Sequence, residues 1–151
     1  MKLAEALARR KDLTDRLFIL SERISSNVVT KEGETPAEDV KILIEEALRL
    51  SDENSELISK INRTNAKTIF DGELTLTDAL VKRDAFISKR NVLLGAVEAA
   101  TSGRDRYSQT ELKDVRHIDV KELQKKIDEF SLSYRELDLK IQEKNWQTEL
   151  L

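Results

Sequence analysis

The one histidine, His117, follows Asp114 by three residues, a spacing that on a helix would aim an imidazole and a carboxylate at one metal ion. A di-iron bundle needs that motif from two helices with further glutamates, and zinc sites draw on several histidines or cysteines. With one histidine and no cysteine, no metal and no other cofactor is expected. His117 reads as a surface or hydrogen-bonding residue. It is also the sole base of its type for a serine triad, and no G-x-S-x-G elbow occurs. The four glycines, at 33, 72, 95 and 103, stand apart from one another, so no phosphate-cradling loop is present. Carboxylates are abundant, but they alternate with lysines and arginines as exposed helix faces do, and no catalytic acid pair stands out.

Two polar groupings remain. Asn62, Arg63, Thr64, Asn65 and Thr68 fall at the end of an apolar-periodic segment. Such residues either cap a helix and satisfy its last carbonyls, or converge amides, a guanidinium and hydroxyls on a polar ligand. Arg104, Arg106 and Tyr107, with Lys113 and Arg116 downstream, form the densest basic and aromatic cluster. They either make salt bridges to Asp105, Glu111 and Asp114 in a solvated loop or hold a phosphate or nucleic-acid backbone. Asn62, Arg63, Asn65, Arg106 and Tyr107 are therefore the candidate residues for a small anionic ligand.

The elements that must position these groups follow from composition and period. Charged residues make up 36% of the 151-residue chain, aromatics 5%, and there is a single proline, the composition of a long-helix protein. Net charge is −3 with signs interspersed, so there is no strong signal for nucleic acid. The absence of cysteine fits a reducing compartment. Residues 1–11 alternate apolar and charged side chains, without the apolar core of a signal peptide, and no stretch has the apolar length of a transmembrane segment. A cytoplasmic location is expected.

Hydrophobic spacing predicts an all-α fold: one domain, an antiparallel four-helix bundle of coiled-coil-like long helices with a small β-hairpin at one tip. The helices are expected at about 3–27, 36–65, 76–101 and 119–147, the hairpin at about 67–76, and an irregular segment at 102–118. In the first helix Leu3, Leu17 and Ile24 alternate with Ala6, Leu13 and Leu20, interrupted only by Arg10. Thr35 and Pro36 should cap and open the second helix, whose seam runs through Val40, Leu43, Ala47, Leu50, Leu57 and Ile61. Asn54 is the one polar residue in that seam, either fixing register as a buried amide or lying partly solvated. Asp71-Gly72 signals a type I′ turn that would set Ile69 opposite Leu74 and Thr68 opposite Thr75. Thr75 with Asp78, and Asp119 with Glu122, read as capping boxes for the third and fourth helices.

The fourth helix has the cleanest seam, Val120, Leu123, Ile127, Phe130, Tyr134, Leu137 and Ile141, in alternating steps of three and four. A second row, Leu132, Leu139 and Trp146, repeats every seven residues on the opposite side. One buried stripe cannot cover both. Phe18, Ile19, Ile42 and Leu48 raise the same question on the first two helices. Apolar rows of this kind are rarely left open on soluble monomers, so a homo-oligomer is expected, with Leu132, Leu139 and Trp146 at its interface.

From end to end the chain also resembles a family of small bacterial proteins labelled septicolysin-like. MKLAEAL at Met1, INRTN at Ile61, LTDAL with Arg83 and Asp84, DRYS at Asp105, RELD at Arg135 and NW at Asn145 carry the likeness. The resemblance brings no catalytic motif with it. Its name implies membrane lysis, for which the sequence offers neither an apolar segment nor a basic-faced amphipathic helix. A structural or interaction protein is the leading expectation, a ligand-binding or enzymatic bundle the alternative, and a cytolysin the remote one.

Overall fold

The computed structural model describes residues 1–102 and 112–151. Its regular elements are α1 (Leu3–Asn27), α2 (Val40–Lys67), β1 (Ile69–Asp71), β2 (Leu74–Thr75), α3 (Leu76–Thr101) and α4 (Val120–Gln147). Among the described residues the chain is all-α with one small hairpin, the element set of a helical bundle. It forms two compact units, residues 1–69 with 143–151 and residues 70–142, so that α4 contributes to both.

In the first unit α1 and α2 close a leucine seam. Leu3, Ala6, Leu13 and Leu20 of α1 and Leu43, Leu50, Leu57 and Ile61 of α2 are buried. These are the heptad positions that spacing predicts, and their removal from water is the main stabilising term. Three ion pairs run along one flank: Arg9 to Glu53 at 2.5 Å, Arg16 to Glu46 at 3.6 Å, and Arg23 to Glu38. The arginines are seven apart on α1 and their partners descend along α2, so the ladder specifies an antiparallel pair. Arg9 holds the Glu53 carboxyl below the usual glutamate range, and Arg23 does the same to Glu38. The same register sets Arg10 level with Asn54. Arg10 is exposed, whereas Asn54 Oδ1 is buried without a hydrogen-bond partner among the described residues.

The start of α2 differs from expectation. Its N-cap is Asp39, whose carboxylate accepts from the amides of Lys41 at 2.9 Å and Ile42 at 3.4 Å, and Pro36 lies outside the helix. The chain between α1 and α2 is held by other bonds. Glu34 N donates to Lys31 O at 3.0 Å around Gly33, whose φ of 87° suits the third position of a type II turn. Glu38 N donates to Asn27 Oδ1 at 3.1 Å, and its side chain is taken by Arg23. These contacts hold residues 31–38 off the helical path, leaving Asp39 as the first side chain free to cap.

The hairpin also departs from the predicted register. The two residues between its strands are Gly72 and Glu73, and only Gly72 has positive φ, 56°. Glycine at the first central position marks a type II′ turn rather than I′. Leu74 is therefore set opposite Asp71 and Thr75 opposite Phe70; Phe70 and Thr75, on one face, are half-buried, while Ile69 and Leu74, on the other, are exposed. Thr75 then opens α3 as predicted: Asp78 N donates to Thr75 Oγ1 at 3.2 Å and Thr75 N to Asp78 Oδ2 at 2.8 Å. At α4 only half of the expected box forms. Asp119 accepts from the amides of Lys121 and Glu122, while the Glu122 carboxylate pairs with Lys126 at 3.2 Å.

In the second unit α3 and α4 pair through large side chains. Phe86 and Phe130 stack with ring centroids 6.3 Å apart, and Lys89 Nζ lies 5.7 Å from the Phe130 centroid. Arg83 bonds Asp138 at 3.0 Å and lies over the Tyr134 ring. Burial alone would lower the Arg83 pKa, but its bonds to Asp84 and Asp138 outweigh that and raise it. Leu76, Ala79, Ile127 and Ile141 are buried, whereas Leu123, Phe130, Tyr134 and Leu137 of the α4 seam are half-buried. The predicted seam therefore faces inward. Residues 112–119 form no regular element.

Candidate functional site

The polar segment at the end of α2 is organised around one residue. Thr64 is fully buried; its Oγ1 donates to Lys60 O at 2.8 Å and accepts from Leu151 N at 3.0 Å. Its carbonyl in turn accepts from Thr68 Oγ1 at 2.8 Å and from Thr68 N at 2.9 Å. With its proton given to a main-chain carbonyl rather than to a base, and its side chain shut off from solvent, the hydroxyl is tied into the fold. Residues 148–151 reach Thr64 by running antiparallel to the start of α1. Leu3 N donates to Thr148 O and Leu150 N to Met1 O, each at 2.9 Å, and Lys2 forms a β-bridge with Glu149. Lys2 Nζ sits 2.6 Å from the Glu149 carboxylate and is the main cause of its lowered pKa. The Leu3 amide, which no helical carbonyl can serve, is thus satisfied by this strap, and the Lys2 amide by Glu5, which accepts from it at 2.7 Å.

Around that knot the ligand candidates separate. Asn62 and Arg63 are exposed, with Arg63 Nε turned back to Ser59 O at 3.4 Å, and Asn65 is half-buried. Arg106 and Tyr107, with Arg104, lie outside the described residues. Two polar side chains are buried among the described residues, Thr64 in INRTN and Asn145 in NW, the latter 4% exposed. Asn145 was not singled out by sequence reasoning, although its position four residues after Ile141 continues the α4 seam.

Three other features have the form of sites. An open groove in the second unit is bounded by Ala96, Ala99 and Ala100 of α3 and by Val115, Arg116 and His117. Its hydroxyl at Thr101 is committed to Val97 O at 2.8 Å. A smaller cleft of about 220 Å³ in the first unit is lined by Arg9, Glu53, Glu56 and Lys60, and the Arg9–Glu53 ion pair already joins two of these four charged side chains. Among the described residues no three His, Cys, Asp or Glu side chains converge as metal ligands would. Nor, among them, is any helix long and apolar enough to cross a membrane.

The third feature is the outward row of α4. Leu132, Leu139 and Trp146 are 49%, 70% and 61% exposed, on the side of the helix away from its seam, as their spacing predicts. Phe18, Ile42 and Leu48 of α1 and α2 are exposed to a similar degree.

No curated protein matches the sequence. The fold is that of a solved structure: a functionally unknown conserved protein from Corynebacterium diphtheriae superposes with a TM-score of 0.91 at 40% sequence identity, over 100% of this chain and 99% of that one. Residues 10–150 match a family model described as a family of unknown function, DUF6847. With nearly the whole length matched in this way, the chain belongs to that family.

Proposed function

We propose that this chain is a helical interaction protein that assembles with copies of itself rather than an enzyme. The supporting observation is the outward row of Leu132, Leu139 and Trp146, two full heptads of large apolar side chains held in water on one helix. A row like this costs solubility in a monomer and is stabilising once a second apolar surface covers it. The row stands on a regular helix, so contact need not order the backbone beneath it.

The protein carries its own reporter, because Trp146 is the only tryptophan. Its emission should shift to the blue as concentration rises and the indole leaves water. Trp146→Asp should weaken assembly, since it would bury an unpaired charge at the contact. An emission maximum independent of concentration, together with unchanged assembly in the mutant, would place Trp146 outside any interface.

A further inference from the structure

The Arg9, Arg16 and Arg23 ladder fixes the register of α1 against α2, and with it what lies on the opposite flank of that pair. A step of seven along α1 matches a step of about seven back along α2. Phe18 is then level with Ile44, and Thr14 with Leu48. The flank away from the ladder carries Thr14, Phe18 and Ser21 on α1 and Ile44, Leu48 and Ser51 on α2, in steps of four and three on both helices. This is a second heptad seam, free of charge across its middle in a chain where more than a third of residues are charged. Phe18 and Leu48 are 68% and 63% exposed.

From this register we infer that the uncharged flank of the α1–α2 pair receives the same flank of a second copy, about a two-fold axis parallel to the helices. The inference rests on the self-association reading but assigns a different surface from the α4 row. Two features single out a second copy as the occupant. In that arrangement α1 of one copy lies against α2 of the other at unchanged levels, so Thr14 faces Leu48 of the second copy, small against large. The rim charges also match. Lys11 comes level with Asp52 of the second copy and Glu22 with Lys41 of the second copy, each contact occurring twice by symmetry. Glu22 and Lys41 are exposed and have no ion-pair partner among the described residues. An arbitrary apolar partner would not need this alternation of acid and base.

An interface of two helices per copy sits at the low end of specific contacts, so dissociation constants on the order of 1–100 µM are expected. Sedimentation equilibrium of the full chain, run from micromolar to several hundred micromolar, should show a dimer. Phe18→Glu and Leu48→Glu should each weaken it by about tenfold or more. Both positions are on the surface, so helical content should be unchanged by circular dichroism. Lys41→Glu should weaken the dimer, and adding Glu22→Lys should restore it. That rescue is not available to a merely local effect of either charge. A monomer at every concentration would overturn both this inference and the self-association reading. A dimer indifferent to Leu48→Glu but broken by Leu139→Glu would overturn this surface alone and leave self-association standing. Loss of the dimer in Leu48→Glu with no rescue by the charge swap would overturn the two-fold register.

Discussion

The α1–α2 pair and the α3–α4 pair are written in the same heptad spacing, yet they bury their seams to different depths. Leu13, Leu20, Leu43 and Leu50 are almost wholly removed from water, whereas Phe86, Phe130, Tyr134 and Leu137 keep part of their surface exposed. The side chains account for the difference. Leucine against leucine lets two helices interlock as knobs into holes, and the arginines and glutamates stay on the flank. In the second unit aromatic rings and the Arg83 and Lys89 cations lie between the helices, and they bring polar ends that must reach water or a carboxylate. Period therefore sets which face is inward, and residue type sets how dry it becomes.

The contrast can be broken most strongly in the first unit. Leu50→Ala should destabilise the protein by about 2–5 kcal/mol, the range for emptying a close-packed leucine site. Leu137→Ala, in the equivalent seam position of α4, should cost clearly less, because water can relax into the half-buried site. Urea titration of both variants checks this, and equal losses would mean that the two seams are equally dry. Next in size is Thr64→Val, which keeps the volume but leaves Leu151 N without its acceptor; about 1–3 kcal/mol is expected. Thr64→Ser should recover most of it, as read by the same titration.

The smallest effect concerns the ladder. Glu53 is lowered in the folded state by Arg9, so the stability that it adds is complete above the ordinary glutamate range and is lost as pH falls through the lowered value. Wild type should therefore exceed Glu53→Gln in stability near neutrality and converge with it in acid. The gap should be small, because the pair is solvated. A gap that persists in strong acid would assign the effect to packing rather than charge.

Much of this architecture was legible in the residues. Leu123, Ile127, Phe130 and Tyr134 alternate by four and three so regularly that the inward face of α4 follows from spacing alone, and Thr75 with Asp78 marks the start of α3 because no other local bond uses both groups so well. The errors fell where several local solutions compete. Thr35-Pro36 is a good helix opening, but Arg23 and Asn27 draw Glu38 into a different path, and that depends on α1 being alongside. Asp71-Gly72 suits a type I′ turn, but glycine serves equally as the first residue of a type II′ turn, which moves the turn on by one residue and gives each strand residue a new partner. The arginine ladder was not read from the sequence, because the partners of three arginines seven apart depend on the length and path of the α1–α2 connection. Within INRTN nothing local ranks Thr64 above its neighbours, since the strap that bonds it comes from residues 148–151, far along the chain.

If the leucine seam of α1 and α2 is the core around which this chain is built, native-state hydrogen exchange on the full protein should find its slowest amides there. The amides at Leu13–Leu20 and Leu43–Ile61 should be the last to exchange, with those of α3 from residue 83 onward exchanging earlier through local opening. Slowest exchange in α3, with the amides around Leu50 among the early ones, would contradict that ordering.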